Sequence, residues 1–363
     1  MTFFVTILGS GAATPTLGRH CSAQSLNIFG QHILVDCGEA TQIQIRAYRQ
    51  RLQSFSLIVI SHLHGDHVFG LPGLLSSMHL CGRKEPVQVV APAGLKSAME
   101  HLLEMSGTQL QFETHFTELD TDRPQVVYDG DRCKVTAFPL VHTVPTYGYI
   151  FEEKLLQPNL VPDAVERYGL TPDECRRIKA GEDLIREGVV VPRATLVLPQ
   201  RKARRYAYCC DTAYTETILP YIRDVDLLCM ESTFSDDRAA LAEDKCHCTA
   251  AQAAQLAAKA NARQLLLTHF SARYRNVEPL LAEARAHFDN VVSAVDGAVI
   301  DIPVRDHKAS GQASQANLRG VAMASATPRD EQKLAQADDE VPVAEAESHV
   351  AEAEAPVADD LSR

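Results

Sequence analysis

Ser61-His62-Leu63-His64-Gly65-Asp66-His67 follows directly on the apolar run Phe55-Ser56-Leu57-Ile58-Val59-Ile60. That run is short, β-branched and bounded by polar residues, which predicts a buried strand. Four potential metal ligands thus fall within six residues on the turn leaving a strand end, where side chains converge on a cavity instead of the core. Imidazole and carboxylate together suit zinc or a similar divalent ion. A lone histidine is more often structural, but four ligands at this density point to a site.

The same arrangement recurs along the chain. Residues 3–8 and 32–35 read as strands, and Gly38-Glu39-Ala40-Thr41-Gln42 opens a helical pattern. Gly70-Leu71-Pro72-Gly73 leads into a short helix, 86–91 reads as a strand, and 133–138 as a strand that delivers His142 just past its end. A second alternating stretch begins near Arg205. In it, one strand ends at Asp211, another at Glu231 and a third at His269, with an alanine-rich helix over 250–261. Ligands at strand ends in both halves predict two sheet-based halves meeting at a shared edge, with helices outside.

The 363 residues are 45% hydrophobic, enough for one large domain or two modest ones. No apolar run approaches the ~20 residues needed to cross a bilayer, and the first residues read as a strand, not a signal peptide. The ten cysteines form no CxxC pair, and Cys246-His247-Cys248 is too tight for an ordinary zinc knuckle. Reduced thiols in a cytoplasmic protein are the simpler account. The net charge of −12 is uneven: Val321 to Arg363 holds eleven acidic and three basic residues, leaving −4 for the rest. The overall sign therefore does not exclude an anionic substrate.

Residues 154–204 form a polar insertion containing Arg176-Arg177-Ile178-Lys179 and leading into Arg201-Lys202-Ala203-Arg204-Arg205. These basic groups either contact phosphates or coat an inserted hairpin or helix pair. Beyond Ile302-Pro303 the composition turns to Ala, Glu, Asp, Ser and Gln, which predicts a disordered acidic tail over 306–363 with no catalytic role.

His62-Leu63-His64-Gly65-Asp66-His67 resembles the HxHxDH signature of the metallo-β-lactamase superfamily, and the downstream His142, Asp211 and His269 resemble its remaining metal motifs. More narrowly, the chain resembles the ribonuclease Z family of endonucleases that trim the 3′ end of precursor tRNA. The resemblance is carried by Leu8-Gly9-Ser10-Gly11-Ala12-Ala13-Thr14-Pro15, Asp36-Cys37-Gly38-Glu39, Asp211-Thr212 and His269-Phe270-Ser271-Ala272-Arg273-Tyr274, and covers about residues 1–305. It implies an α/β fold, an αββα four-layer sandwich, with 154–204 as a tRNA-binding arm. It also implies a zinc-dependent homodimer whose arm serves the neighbouring subunit.

By the same resemblance His62, His64 and His142 hold one zinc ion, and Asp66, His67 and His269 the other, with Asp211 bridging. Two ions so close ease deprotonation of a water and offset phosphate charge, and Asp66 becomes general base as well as ligand. The family protonates the leaving 3′-oxygen through a histidine of an His-x-Thr loop held by a glutamate. Here these are His247, in His247-Cys248-Thr249, and Glu231, with Met230 where a histidine usually precedes the glutamate. Without the resemblance, His247 reads as a surface-loop residue. A PxKxRN loop that reads the acceptor end corresponds to Pro15-Thr16-Leu17-Gly18-Arg19-His20, so only Arg19 matches as a basic contact. Arg19, Arg176, Arg177, Lys179 and Arg273 are the expected substrate contacts, although the arm's Gly-Pro motif is not evident. His79, His101 and His115 lack partner spacing.

Two other functions compete. A small-molecule hydrolase of the same superfamily would act on a simple ester while leaving precursor tRNA intact. A non-catalytic RNA binder would take up no metal.

Overall fold

Two sheets meet face to face, with helices on both outer faces, in a computed structural model that describes residues 2–304 and 318–320. The eight-stranded sheet runs in the order Leu318–Gly320, Ala298–Asp301, Phe3–Gly9, Ala23–Ile28, Gln31–Val35, Phe55–Val59, Val87–Pro92 and Thr114–Leu119. The seven-stranded sheet runs Val291–Ser293, Leu265–Thr268, Leu227–Glu231, Arg205–Cys209, Tyr147–Glu153, Cys133–Pro139 and Gln125–Asp129. This is the expected αββα sandwich. Alternation along each strand builds its layers: Leu57 and Val59 enter the core between the sheets, while Ile58 and Ile60 pack outward against Leu71, Leu74 and Leu75 of the helix Leu71–Leu80. Helices Ala250–Lys259 and Glu278–Arg285 cover the other sheet.

The parallel strands Gln31–Val35, Phe55–Val59, Arg205–Cys209, Leu227–Glu231 and Leu265–Thr268 bring their C-terminal ends to one edge of the sandwich. The two sheets are tied there, since Tyr149 donates its hydroxyl to the Ile60 carbonyl (2.7 Å) and Tyr147 its N–H to the Ser61 carbonyl (3.0 Å).

The tail expected to be disordered lies outside the described residues except for Leu318–Gly320, which pairs antiparallel with Ala298–Asp301.

Residues 154–204 combine both expected forms. Helices Ala164–Tyr168 and Pro172–Ala180 and the hairpin Leu184–Arg186/Val189–Val191 enclose a small core of Ala164, Leu170, Ile178, Leu184, Leu196 and Val197. A capping box between Thr171 and Glu174 starts the second helix. The base of this unit is clamped by Glu153, which accepts from Arg204 N (2.6 Å), Nε (3.0 Å) and Nη2 (2.8 Å) and from the Arg201 guanidinium. Arg204 is only 2% exposed and also donates to the Ile302 carbonyl. Two members of the basic run are thus committed to the interior, not offered to phosphates. Breaking a buried pair strands a charge, so Glu153→Ala should cost about 3–5 kcal/mol in chemical denaturation.

Candidate metal centre

Three of the strand ends turn on residues with left-handed backbones: Asp36 (φ 57°), Asp211 (φ 58°) and His269 (φ 59°). Asp and His adopt this region more readily than most residues, and its cost is tolerated where the chain must swing a functional side chain across a sheet end. Asp66 and His67 instead sit on the one-turn helix Gly65–Val68. Gly38 permits its close approach, because a Cβ there would lie 2.3 Å from the Asp66 carbonyl.

All seven sequence-predicted ligands converge. His62, His64, His142 and Asp211 form one group of donors, and His67, Asp211 and His269 share another with Cys210. Asp211 faces both. Its Oδ2 lies 3.5 Å from His62 Nε2 and 3.6 Å from His142 Nε2, while its Oδ1 lies 3.4 Å from His67 Nε2 and 3.1 Å from His269 Nε2. Asp66 Oδ2 closes the second group at 3.5 Å from His67 and 3.4 Å from His269.

The surrounding hydrogen bonds assign the ring nitrogens. His67 Nδ1 meets Asp36 Oδ2 at 2.7 Å, and His142 Nδ1 meets the Cys246 carbonyl at 3.0 Å. Ser61 Oγ gives its hydrogen to Asp36 (2.9 Å), so it accepts from His62 Nδ1 at 3.1 Å. Each ring therefore donates from Nδ1 and turns a bare Nε2 inward. His62 Nε2 is buried with no hydrogen-bond partner, and His67 and His269 point Nε2 at each other across 3.2 Å.

Lone pairs facing lone pairs and carboxylates repel unless cations lie between them. A tetrahedral ion with bonds of about 2.0–2.1 Å sets its donors about 3.4 Å apart, close to the spacings above. Protonation agrees. Burial, then the neighbouring His67, pushes the His62 pKa down to about 2. Burial opposes ionisation of Asp66 and Asp211, but the surrounding histidines outweigh it and hold both well below the usual carboxylate range. Neutral imidazole and ionised carboxylate are the forms that bind metal. The residues present fit a divalent metal centre.

Beside it, Glu231 is fully buried and accepts from His247 Nδ1 at 2.9 Å. Burial lowers the His247 pKa, yet the Glu231 carboxylate outweighs it and raises the value to about 9. The His247 ring lies 5.1 Å from that of His142 and 5.5 Å from that of His269, centroid to centroid, so the pair borders both donor groups.

The expected substrate contacts are less uniform. Arg273 stacks over Phe234 at 5.4 Å, and Phe234 meets the His247 ring edge-on, which brings this cation near the site. Arg19 donates to the Tyr274 carbonyl (2.7 Å) and lies over Phe270, and His20 pairs with Asp296 (2.9 Å), so the loop is anchored with Leu17 fully exposed at its tip. Arg176 and Arg177 form exposed pairs with Asp173 and Glu182 on the inserted unit, on the same helix as Lys179.

Sequence reasoning assigned no role to Asp36, Ser61 or Tyr208. Asp36 accepts from His67, from Ser61 through both N–H and hydroxyl, and from the Tyr208 hydroxyl (2.7 Å), so it orients two inward-facing histidines at once. The available signal was Asp36 itself, a carboxylate directly after an apolar strand. Cys210 gave none.

Comparisons with known proteins place the chain in a family. Residues 190–270 match the model of the beta-lactamase superfamily domain, and residues 3–159 that of the anti-Pycsar protein Apyc1. The ribonuclease Z of Bacteroides thetaiotaomicron is 40% identical over 301 residues, covering 83% of this chain and 95% of that protein. The ribonuclease Z of Cytophaga hutchinsonii is 41% identical over 300 residues, covering 82% and 96%. The crystal structure of human tRNase Z, short form, matches with a TM-score of 0.61 at 28% identity, covering 83% of this chain and 99% of that one. With that identity across nearly the whole length of its relatives, the chain belongs to the ribonuclease Z family of metal-dependent endoribonucleases.

Proposed function

We propose that this protein removes the 3′ trailer of precursor tRNA by hydrolysing one phosphodiester bond, with two zinc ions in the site. The observation that carries the reading is the Glu231–His247 pair placed against a seven-ligand cluster whose Asp211 offers one oxygen to each half. His62, His64, His142 and Asp211 would hold one ion, and Asp66, His67, Asp211 and His269 the other. When bound, such ions activate water near neutral pH and neutralise charge on phosphoryl oxygens.

The chain's own groups supply the rest. Asp66, ionised and fixed by the Ala13 N–H at 2.7 Å, accepts the proton of the attacking water. As the bond from phosphorus to the 3′-oxygen breaks, His247 gives that oxygen a proton. The products are a tRNA with a 3′-hydroxyl and a trailer with a 5′-phosphate. Glu231 holds His247 by Nδ1, leaving the other ring nitrogen to carry the transferred proton. Arg273, and Arg19 in its anchored loop, border the path of the strand. Arg176, Arg177 and Lys179 of the arm would grip the tRNA body. Exposed ion pairs contribute only ~0–1 kcal/mol, so phosphates can displace Asp173 and Glu182 at little cost. A homodimer with the arm of one subunit serving its neighbour completes the proposal, and light scattering of the purified protein tests it. Among the described residues no helix is long and apolar enough to cross a membrane.

Cleavage of precursor tRNA compared with bis(p-nitrophenyl) phosphate tests the substrate. A single cut at the trailer junction is expected; turnover of the small ester with intact tRNA would sink the assignment. The pH profile tests the proton donor. A general acid works while protonated, so the rate holds below the His247 pKa and falls as pH rises through it. Bound cations lower that pKa, which makes about 9 its ceiling. In Glu231→Gln the charge that raises it is gone, and the alkaline fall should begin at lower pH. An unmoved profile would remove His247 from this role.

A further inference from the structure

The hydrogens between Glu231 and His269 can be placed one by one. Glu231 faces four donors: Thr212 N (2.6 Å) and His247 Nδ1 (2.9 Å) on Oε1, and the Thr233 hydroxyl (2.6 Å) and Cys248 N (3.1 Å) on Oε2. A carboxylate so surrounded only accepts, so the single hydrogen of Thr233 goes to Glu231. Thr233 Oγ1 also lies 2.9 Å from His269 Nδ1, and toward that nitrogen it can only accept. His269 is thereby fixed with its hydrogen on Nδ1 and its Nε2 bare toward Asp66, His67 and Asp211. His67 gets the same tautomer from a charged partner, Asp36. His269 has a neutral hydroxyl that Glu231 orients.

We propose that Thr233 is a positioning residue, whose hydroxyl locks the tautomer and ring angle of His269. It thereby makes occupancy of the His67/His269 half of the centre depend on the same Glu231 that holds His247. The inference rests on the two-ion reading above. Because the hydroxyl reaches no donor of the His62/His64/His142 half except through His269 and Asp211, its loss should weaken one ion selectively. Thr233 is 4% exposed, and valine matches its shape, so Thr233→Val removes the hydrogen bonds with little change in packing.

The test is zinc titration of chelator-stripped, full-length protein against a competing chromophoric chelator, with wild type, Thr233→Val, Thr233→Ala and Thr233→Ser compared. Wild type should take two ions. The valine and alanine variants should keep one at wild-type affinity and bind the other about 10–100-fold more weakly, and serine should restore both. Two ions in wild type with unchanged affinities in valine and alanine would overturn the inference alone. So would serine failing to rescue, or equal weakening of both ions, since either assigns the loss to packing. Uptake of fewer than two ions by wild type would overturn the two-ion reading and this inference with it.

Discussion

Asp211→Ala is expected to abolish cleavage and to leave the protein unable to hold either ion at stoichiometric zinc. Every other member of the cluster faces one half, whereas Asp211 places Oδ2 at 3.5 Å from His62 and Oδ1 at 3.1 Å from His269. It is also the one anionic donor in the group with His62, His64 and His142. Removing it takes one ligand from each half, and an ion left with three neutral histidines sits in a poorly compensated, desolvated pocket. His64→Ala removes one donor from one half only and should be milder in metal content. Elemental analysis of the purified variant beside wild type reads the difference. A variant that keeps two ions per chain would show that Asp211 is not the bridge.

His247→Ala is expected to separate chemistry from metal binding. Loss of a general acid lowers rates by about 10²–10⁴-fold, and His247 does not belong to either donor group that contains Asp211. Zinc content should therefore stay at the wild-type level while cleavage slows. Substrates ending in a better leaving group need the proton less, so bis(p-nitrophenyl) phosphate should lose less rate than precursor tRNA. A matching loss on both substrates would argue that His247 supports the centre's structure instead. A drop in zinc would make it a ligand, for which its place beside Glu231 and His269 leaves room.

How much of this was legible in the sequence follows from how local each signal is. His62, His64, Asp66 and His67 lie within one run of six residues after a strand end, so the turn and the short helix Gly65–Val68 keep them together. His142, Asp211 and His269 each follow a short apolar run, and the parallel strand ends that gather them are the usual place for a site in α/β sheets. Pairing among those strands is not written in any one of them, which is why the residue-by-residue roles needed the family resemblance. Asp36, Ser61 and Thr233 stayed silent for another reason. They act through hydrogen bonds between neighbouring strand ends, and only the assembled fold brings Thr233 to His269 across 36 positions of sequence. The basic run ending at Arg205 left two readings open, because charge at the base of an insertion signals phosphate contact and structural pairing equally well. The fully buried Glu153 decides between them for Arg201 and Arg204.

The seven-ligand cluster as a working two-ion centre is the claim on which the rest depends. Its most direct test is cleavage of precursor tRNA by chelator-stripped protein, measured as zinc is returned one equivalent at a time. No cleavage is expected without metal, and activity should climb only as the second equivalent binds. Full activity in stripped protein, or a maximum already reached at one ion per chain, would contradict it.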